Sequence, residues 1–183
     1  MVKNTAKATS PAEDRVEVIQ NLKGEADRKR QATQLESALE LYSQALDYLK
    51  ETPSLQESSV GFILHSDLLG ARAECERFIG DYMAAAEDYS NLASLAKRAG
   101  DNEKQAGALI RRAALLSLMG DPACGQEAED ALALARQVGG PNLAAQGLIT
   151  LGDALSRLSE YAHAQSPLEE AITLSIRVPH WLQ

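Results

Sequence analysis

The apolar residues of this chain fall into stretches with the spacing of one helix face, and these stretches recur along the sequence. Apolar stretches end at Ile79, Met119 and Leu158, and a short polar turn and an alanine-rich stretch follow each of them. The turns read Gly80-Asp81-Tyr82, Gly120-Asp121-Pro122 and, more loosely, Ser159-Glu160-Tyr161. A period of about 40 residues is typical of helical arrays, in which each repeat packs against the next. The pattern therefore predicts repeated pairs of helices.

Capping and breaking residues predict eight helices in four antiparallel pairs. Ser10 and Pro11 start the first helix, and Thr52-Pro53 ends the second. Glycines 80, 100, 120 and 139 end later helices, and an aspartate after each of the first three is a predicted N-cap. The third helix is expected to run unbroken from Ser54 to Ile79. Pro167 falls early in the eighth helix, which is therefore either kinked or starts later than Glu160. The predicted organisation is a disordered tail at 1–9, pairs at about 10–53, 54–100, 101–140 and 141–178, and a C-terminal tail at 179–183.

Small residues recur wherever two helices of a pair must approach closely. The second helices share one equivalent site, occupied in turn by Ala38, Ala85, Cys124 and Ala164. The first helices share another, occupied by Ala26, Ala73, Ala113 and Gly152. Four residues after the second-helix site come Tyr42, Tyr89, Ala128 and Leu168. This spacing lies on one helix face, so we expect these positions to be buried, together with Tyr82 and Tyr161.

The aligned residues resemble the tetratricopeptide repeat family. Gly80-Asp81-Tyr82 with Ala85 and Tyr89 fits its pattern, as does Gly152 followed by Tyr161, Ala164 and Leu168. The first pair lacks the turn motif, and Pro122 replaces the tyrosine in the third. The period resembles the longer variant found in large bacterial regulators. The resemblance implies an all-α fold, a right-handed α-solenoid of about four helical hairpins, whose first helices line a concave groove.

Composition narrows the function further. The net charge of −8 opposes nucleic-acid binding, which needs a basic surface. No nucleotide-binding, metalloprotease or nucleophile-elbow motif occurs, and the three histidines and two cysteines have no partners at metal-ligand spacing. No apolar stretch of about 18 residues is present to span a membrane, and no secretory leader is recognisable. We therefore expect a cytoplasmic, non-enzymatic protein without catalytic residues, metal or cofactor, whose two cysteines are buried free thiols.

The favoured function is a scaffold that binds a protein or peptide segment in the concave groove. The groove positions that the resemblance implies combine acidic and basic side chains, as an extended or helical peptide would require. They are Lys23, Asp27, Arg30, Glu74, Arg77, Arg111, Asp153 and Arg157. The family's clamp for C-terminal carboxylates is not expected, because its lysine and asparagine positions are occupied by other residues.

Two alternatives remain open from the sequence. The chain could be the sensory repeat region of a larger bacterial ATPase, cyclase or transcription regulator. It could also self-associate as a homodimer through its C-terminal helices, because an array normally needs a polar cap on its last face. The candidates for that contact are Leu168, Ile172, Ile176 and Trp181.

Overall fold

The chain is all-helical throughout the part that the structure describes. A computed structural model describes residues 11–177, with side chains from 14 to 175, so both predicted tails, Ser10 and Trp181 lie outside the described residues. All-α fold class is thereby confirmed. The described helices are α1 (Pro11–Gln31), α2 (Leu35–Lys50), α3 (Pro53–Gln56), α4 (Ser59–Ile79), α5 (Tyr82–Ala99), α6 (Asn102–Met119), α7 (Cys124–Val138), α8 (Pro141–Arg157) and α9 (Tyr161–Arg177).

These helices form two compact units, and the division falls inside α4, after Cys75. In the first unit α1 and the short α3 both pack against α2. Its core includes the fully buried Ile19, Tyr42 and Leu46. Leu49 and Leu68 are also fully buried, so the core is made mainly of leucine and a single large aromatic side chain.

The predicted unbroken third helix is wrong, because α3 and α4 are separate. Ser58 interrupts the helix: its hydroxyl accepts a hydrogen bond from the Gly61 N–H at 2.9 Å and donates one to the Leu55 carbonyl at 2.8 Å. Gly61 lies so close to that carbonyl that a Cβ atom would come within 1.6 Å of it. Ser58 thus caps α4, and the tight approach requires glycine. The described residues consequently contain nine helices rather than eight.

In the second unit each helix from α5 to α9 packs against the next one in the chain, and α6 also packs directly against α8. Short connections between packed helices make successive helices antiparallel. One apolar cluster joins α6 through α9 around Leu132, Leu148 and Leu151, and a smaller one surrounds Ala106 and Ile110.

The turns between paired helices share one backbone conformation, with a residue of positive φ at equivalent places. The values are 62° at Thr33, 96° at Gly80, 72° at Gly120 and 65° at Ser159. The aspartates after Gly80 and Gly100 cap α5 and α6 as predicted, each accepting a hydrogen bond from the N–H three residues later. The repeat register is therefore visible in the backbone as well as in the sequence.

The first residues of α7 and α9 bear on two predictions about where helices start. Asp121 was expected to cap a helix with Pro122 in its first turn, but α7 begins only at Cys124. Asp121 instead accepts a hydrogen bond from the Ala123 N–H at 2.8 Å, which holds Pro122 and Ala123 in a turn before the helix. The eighth predicted helix does not start late: α9 begins at Tyr161 and runs through Pro167.

The small-residue positions are buried as predicted. Ala26, Ala38, Ala73, Ala85, Ala113 and Cys124 are at most 1% exposed, Ala164 is 3% exposed, and Gly152 is also buried. Among the tyrosines, Tyr89 is buried and Tyr82 is half-buried. The prediction for Tyr161 is wrong, because this side chain is 69% exposed. It is the first residue of α9, where the helix has only begun to face the core.

Candidate functional site

Three of the predicted groove residues meet in the first unit around the carboxylate of Asp27. One of its oxygens accepts a hydrogen bond from the Tyr42 hydroxyl at 2.5 Å, and the other accepts one from the Lys23 ammonium at 3.0 Å. The Arg30 guanidinium lies 3.8 Å away. Lys23 and Arg30 share one face of α1 with Asp27, whereas Tyr42 reaches over from α2. These four residues are named the Asp27 cluster.

The Asp27 cluster is partly withdrawn from water, which shapes its protonation. Burial raises the pKa of Asp27, but the hydrogen bonds from Tyr42 and Lys23 and the charges of Lys23 and Arg30 outweigh it, so the pKa lies below the ordinary value. Burial, followed by the hydrogen bond to Asp27, raises the pKa of Tyr42. Both shifts favour an ionised carboxylate beside a neutral phenol. The hydrogen bond from Tyr42 to Asp27 therefore fastens α1 to α2, whereas the buried Nε of Arg30 has no hydrogen-bond partner among the described residues.

Two more candidates meet in the second unit, around Asp153 on α8. Its carboxylate accepts a hydrogen bond from the Ser117 hydroxyl of α6 at 3.2 Å and one from the Arg157 guanidinium at 3.0 Å. Asp153 and Arg157 are each almost half exposed. Unlike Asp27, both are open to solvent and available to a partner.

The remaining three candidates stand apart from these clusters. The Arg77 guanidinium lies over the ring of its neighbour Phe78, 4.4 Å from the centroid. Arg111 on α6 is exposed, and its guanidinium lies 6.0 Å from the centre of the Tyr89 ring. Glu74 is half-buried on α4. Of the eight candidates, three thus meet in the first unit, two meet in the second, and three belong to neither cluster.

The open candidates of the second unit lie on α6 and α8, which pack side by side. Leu143 of α8 packs against the apolar cluster that contains Ala106 and Ile110 of α6. Three large apolar side chains on these helices remain exposed, Leu118 at 43%, Met119 at 38% and Ile149 at 51%. Arg111, Leu118, Ile149, Asp153 and Arg157 are named the α6–α8 face. It combines exposed apolar side chains with charges of both signs.

Two residues of these groups were not anticipated as polar partners. Tyr42 was predicted only as a packing residue, yet its hydroxyl donates to Asp27. Ser117 was not singled out at all. No local signal marks its role: Ser117 follows Ala113 by four residues, as Ser156 follows Gly152, but the Ser156 hydroxyl donates to the Gly152 carbonyl rather than to an acid.

The remaining candidates for a chemical role are the cysteines, the histidines and any cluster of metal-binding side chains. Within residues 14–175, no group of three or more histidine, cysteine, aspartate or glutamate side chains could hold a metal ion. Cys75 and Cys124 are both buried and outside any disulfide, as predicted, and burial raises the pKa of Cys124. His163 is exposed beside Glu160, and His65 is half-buried. None of the helices described is both long and apolar enough to cross a membrane.

The structure describes two of the four side chains predicted for self-association. Ile172 on α9 is 61% exposed and Leu168 is 37% exposed. Leu168 also packs against α8, because a Cβ atom on Gly152 would lie 2.5 Å from its Cγ and Cδ2. The side chains of Ile176 and Trp181 lie outside the described residues. Of the two described side chains in this group, Ile172 is the more exposed.

Comparison with known proteins places the fold but not the activity. No protein-family model matches the chain, and no curated protein sequence matches it. Among 41 chains of solved structures that match is one described as the crystal structure of BtubC (BKLC) from P. vanneervenii. It superposes with a TM-score of 0.77 at 17% identity, over 91% of this chain and 66% of that chain. At this identity the likeness concerns the helical fold alone.

Proposed function

We propose that this chain is a non-enzymatic scaffold of the tetratricopeptide type, and that the α6–α8 face binds a protein or peptide segment. The observation that carries the proposal is the direct packing of α6 on α8, the first helices of the third and fourth predicted pairs. The second helices α5, α7 and α9 show no comparable packing on one another within the described chain. A row of touching helices is shorter than a row of separated ones, which supports a curved array with its first helices on the concave side.

The side chains of the α6–α8 face suit a peptide better than a small molecule. Leu118 and Ile149 offer apolar contact, and Arg111 and Arg157 can each bind a carboxylate through two parallel hydrogen bonds. Asp153 can accept from a lysine or a backbone N–H. An extended or helical segment with acidic side chains beside apolar ones is the partner that fits this face. A cytoplasmic location belongs to the same proposal.

The test compares two charge reversals. A variant with Arg111→Glu and Arg157→Glu changes the proposed face, and a variant with Lys97→Glu and Arg98→Glu makes the same charge change on the exposed end of α5. Partners captured by the wild-type chain are purified, and their binding is measured by calorimetry. We expect the first variant to weaken direct binding at least about tenfold and the second to leave it nearly unchanged. Equal binding by all three proteins would refute the assignment of the face.

Self-association is a second candidate because Ile172 exposes an apolar side chain on α9. Light scattering coupled to size exclusion measures the solution mass of the wild type and of Ile172→Glu. Ile149→Glu is the matched control, since Ile149 is similarly exposed but lies on α8. A dimer that only Ile172→Glu dissociates supports this candidate, and a monomeric wild type eliminates it.

A further inference from the structure

A cleft of about 560 Å³ lies in the second unit between α7 and α9, away from the α6–α8 face. Its floor is apolar and consists of Leu148, Leu151 and Leu155 of α8, with Leu132 of α7. The three α8 leucines are spaced i, i+3 and i+7, so they form one ridge along the helix. Each is at most 9% exposed. Only the outer edges of these leucines therefore reach the floor of the cleft, and a partner helix would pack across these edges.

The rim of the cleft is acidic. Glu129 of α7, Glu160 in the turn before α9 and Glu170 of α9 line it, with Arg136 as the only cation among the lining residues described. Arg136 is already engaged, because one of its nitrogens lies 2.8 Å from both oxygens of Glu170. Glu129 and Glu160 therefore remain on opposite sides of the cleft, where the Glu160 carboxylate lies 3.2 Å from the His163 ring. The charge of the rim complements lysine or arginine.

Pro167 and His163 of α9 complete this wall of the cleft. The acceptors that the cleft offers to the N–H groups of a basic side chain are the carboxylates of its rim.

We propose that this cleft is a second docking site, one that takes a basic amphipathic helix of another protein. The apolar stripe of that helix packs on the leucine ridge of α8, and its lysine or arginine side chains pair with Glu129 and Glu160. The partner chemistry is opposite to that of the α6–α8 face, where the arginines call for acidic side chains. The two sites therefore discriminate between partners by charge.

The probe is a fluorescent 18-residue peptide with leucine at i, i+3, i+4 and i+7 spacing and lysine elsewhere. Its binding is followed by anisotropy, and a peptide with glutamate replacing lysine serves as the probe control. Glu129→Lys tests the cleft. Asp130→Lys is the matched control, because Asp130 is the next residue of α7, is exposed and does not line the cleft.

We expect Glu129→Lys to weaken binding of the lysine peptide about tenfold and Asp130→Lys to change it less than about twofold. The glutamate peptide should not bind. Equal weakening by both variants would reduce the effect to general attraction by an acidic chain and would overturn the proposal, as would absence of binding to the folded wild type. The variant with Arg111→Glu and Arg157→Glu should bind the lysine peptide like the wild type, which separates this site from the α6–α8 face.

Discussion

The first hairpin (α1 and α2) and the last hairpin (α8 and α9) fill the same repeat positions with different chemistry. In the first, Ala26 precedes Asp27 and the aromatic position holds Tyr42, which is buried and donates to that acid. In the last, Gly152 precedes Asp153, and Leu168 packs onto the glycine. Asp153 then takes its hydroxyl donor from Ser117 of an earlier helix.

This difference teaches that one position can be structural in one repeat and open in another. Asp27 is 27% exposed and bonded by tyrosine and lysine, so it fastens two helices. Asp153 is 49% exposed and held by two weaker contacts, so it is available to a partner. A charge pattern read from repeat register alone treats the two as equals, whereas their surroundings separate them.

The largest contrast should come from removing each acid. Asp27→Ala leaves the Tyr42 hydroxyl buried without its acceptor, and we expect it to lower the free energy of unfolding by about 3 kcal/mol. Asp153→Ala should cost about 1–2 kcal/mol, because its exposed ion pair with Arg157 contributes little while the buried Ser117 hydroxyl loses its acceptor. Urea denaturation followed by circular dichroism measures both. Similar losses in the two variants would show that the two acids have the same role.

The close contact in the last hairpin can be broken from its glycine. Gly152→Val places side-chain atoms where Leu168 packs, and overpacking of this kind should cost about 2 kcal/mol. Gly107→Val is the control, since Gly107 is also inside a helix but a Cβ atom there would meet nothing closer than 3.8 Å. Adding Leu168→Ala to Gly152→Val should restore part of the loss. If Gly107→Val is as destabilising, helix propensity rather than packing is responsible.

Acid should remove the stability that Asp27 gives to the first hairpin. The pKa of Asp27 is lower when folded, so its contribution is fully present above the unfolded value near 3.8 and is lost as the pH falls through the folded value. Denaturation midpoints of the wild type and Asp27→Asn, compared between pH 6 and pH 2, test this. We expect the wild type to lose its advantage over the variant at the acid end. A constant difference over that range would exclude ionisation of Asp27 as its source.

The smallest effect concerns the turns. Ser159 and Thr33 hold positive φ angles that favour glycine, and each should gain roughly 0.5–1 kcal/mol on substitution by glycine. Gly120→Ala is the reciprocal experiment and should lose about as much, because no neighbouring atom lies within 4 Å of a Cβ there. Thermal denaturation can resolve these differences. A loss of stability in Ser159→Gly would show that its side chain contributes more than its backbone strain costs.

Helix positions and packing slots could be predicted from sequence because they depend on local chemistry. Aspartate caps, glycine turns and the spacing of small residues each involve only a few neighbouring positions in the sequence. They predicted α5, α6 and the buried alanines correctly. The break at Ser58 was not predicted, because it depends on the close approach of Gly61 to the Leu55 carbonyl, which is a contact between two turns. The capping motif at Ser54 remained compatible with one long helix.

Site residues were harder to predict because their roles depend on partners from other helices. Register identified Asp27 and Asp153 as equivalent, but nothing local indicates that Tyr42 reaches one and Ser117 the other. The cleft between α7 and α9 was not anticipated, since its floor, rim and proline come from three helices and none of them forms a recognisable motif. Tyr161 was misplaced for the same reason: register gives a position, and only packing decides whether a neighbour covers it.

The glycine turns have one more consequence, which concerns how such a chain grows. Gly100 and Gly139 both adopt left-handed conformations, with φ of 73° and 84°, and they bracket α6 and α7. The 39-residue segment from 101 to 139 thus begins and ends at the same local geometry. A duplicated copy of that segment would be connected at both ends through glycines of the same left-handed conformation. We therefore expect that the chain can be lengthened by whole hairpins without a change in its junctions. Gene duplication would then change the length of the array in steps of one hairpin.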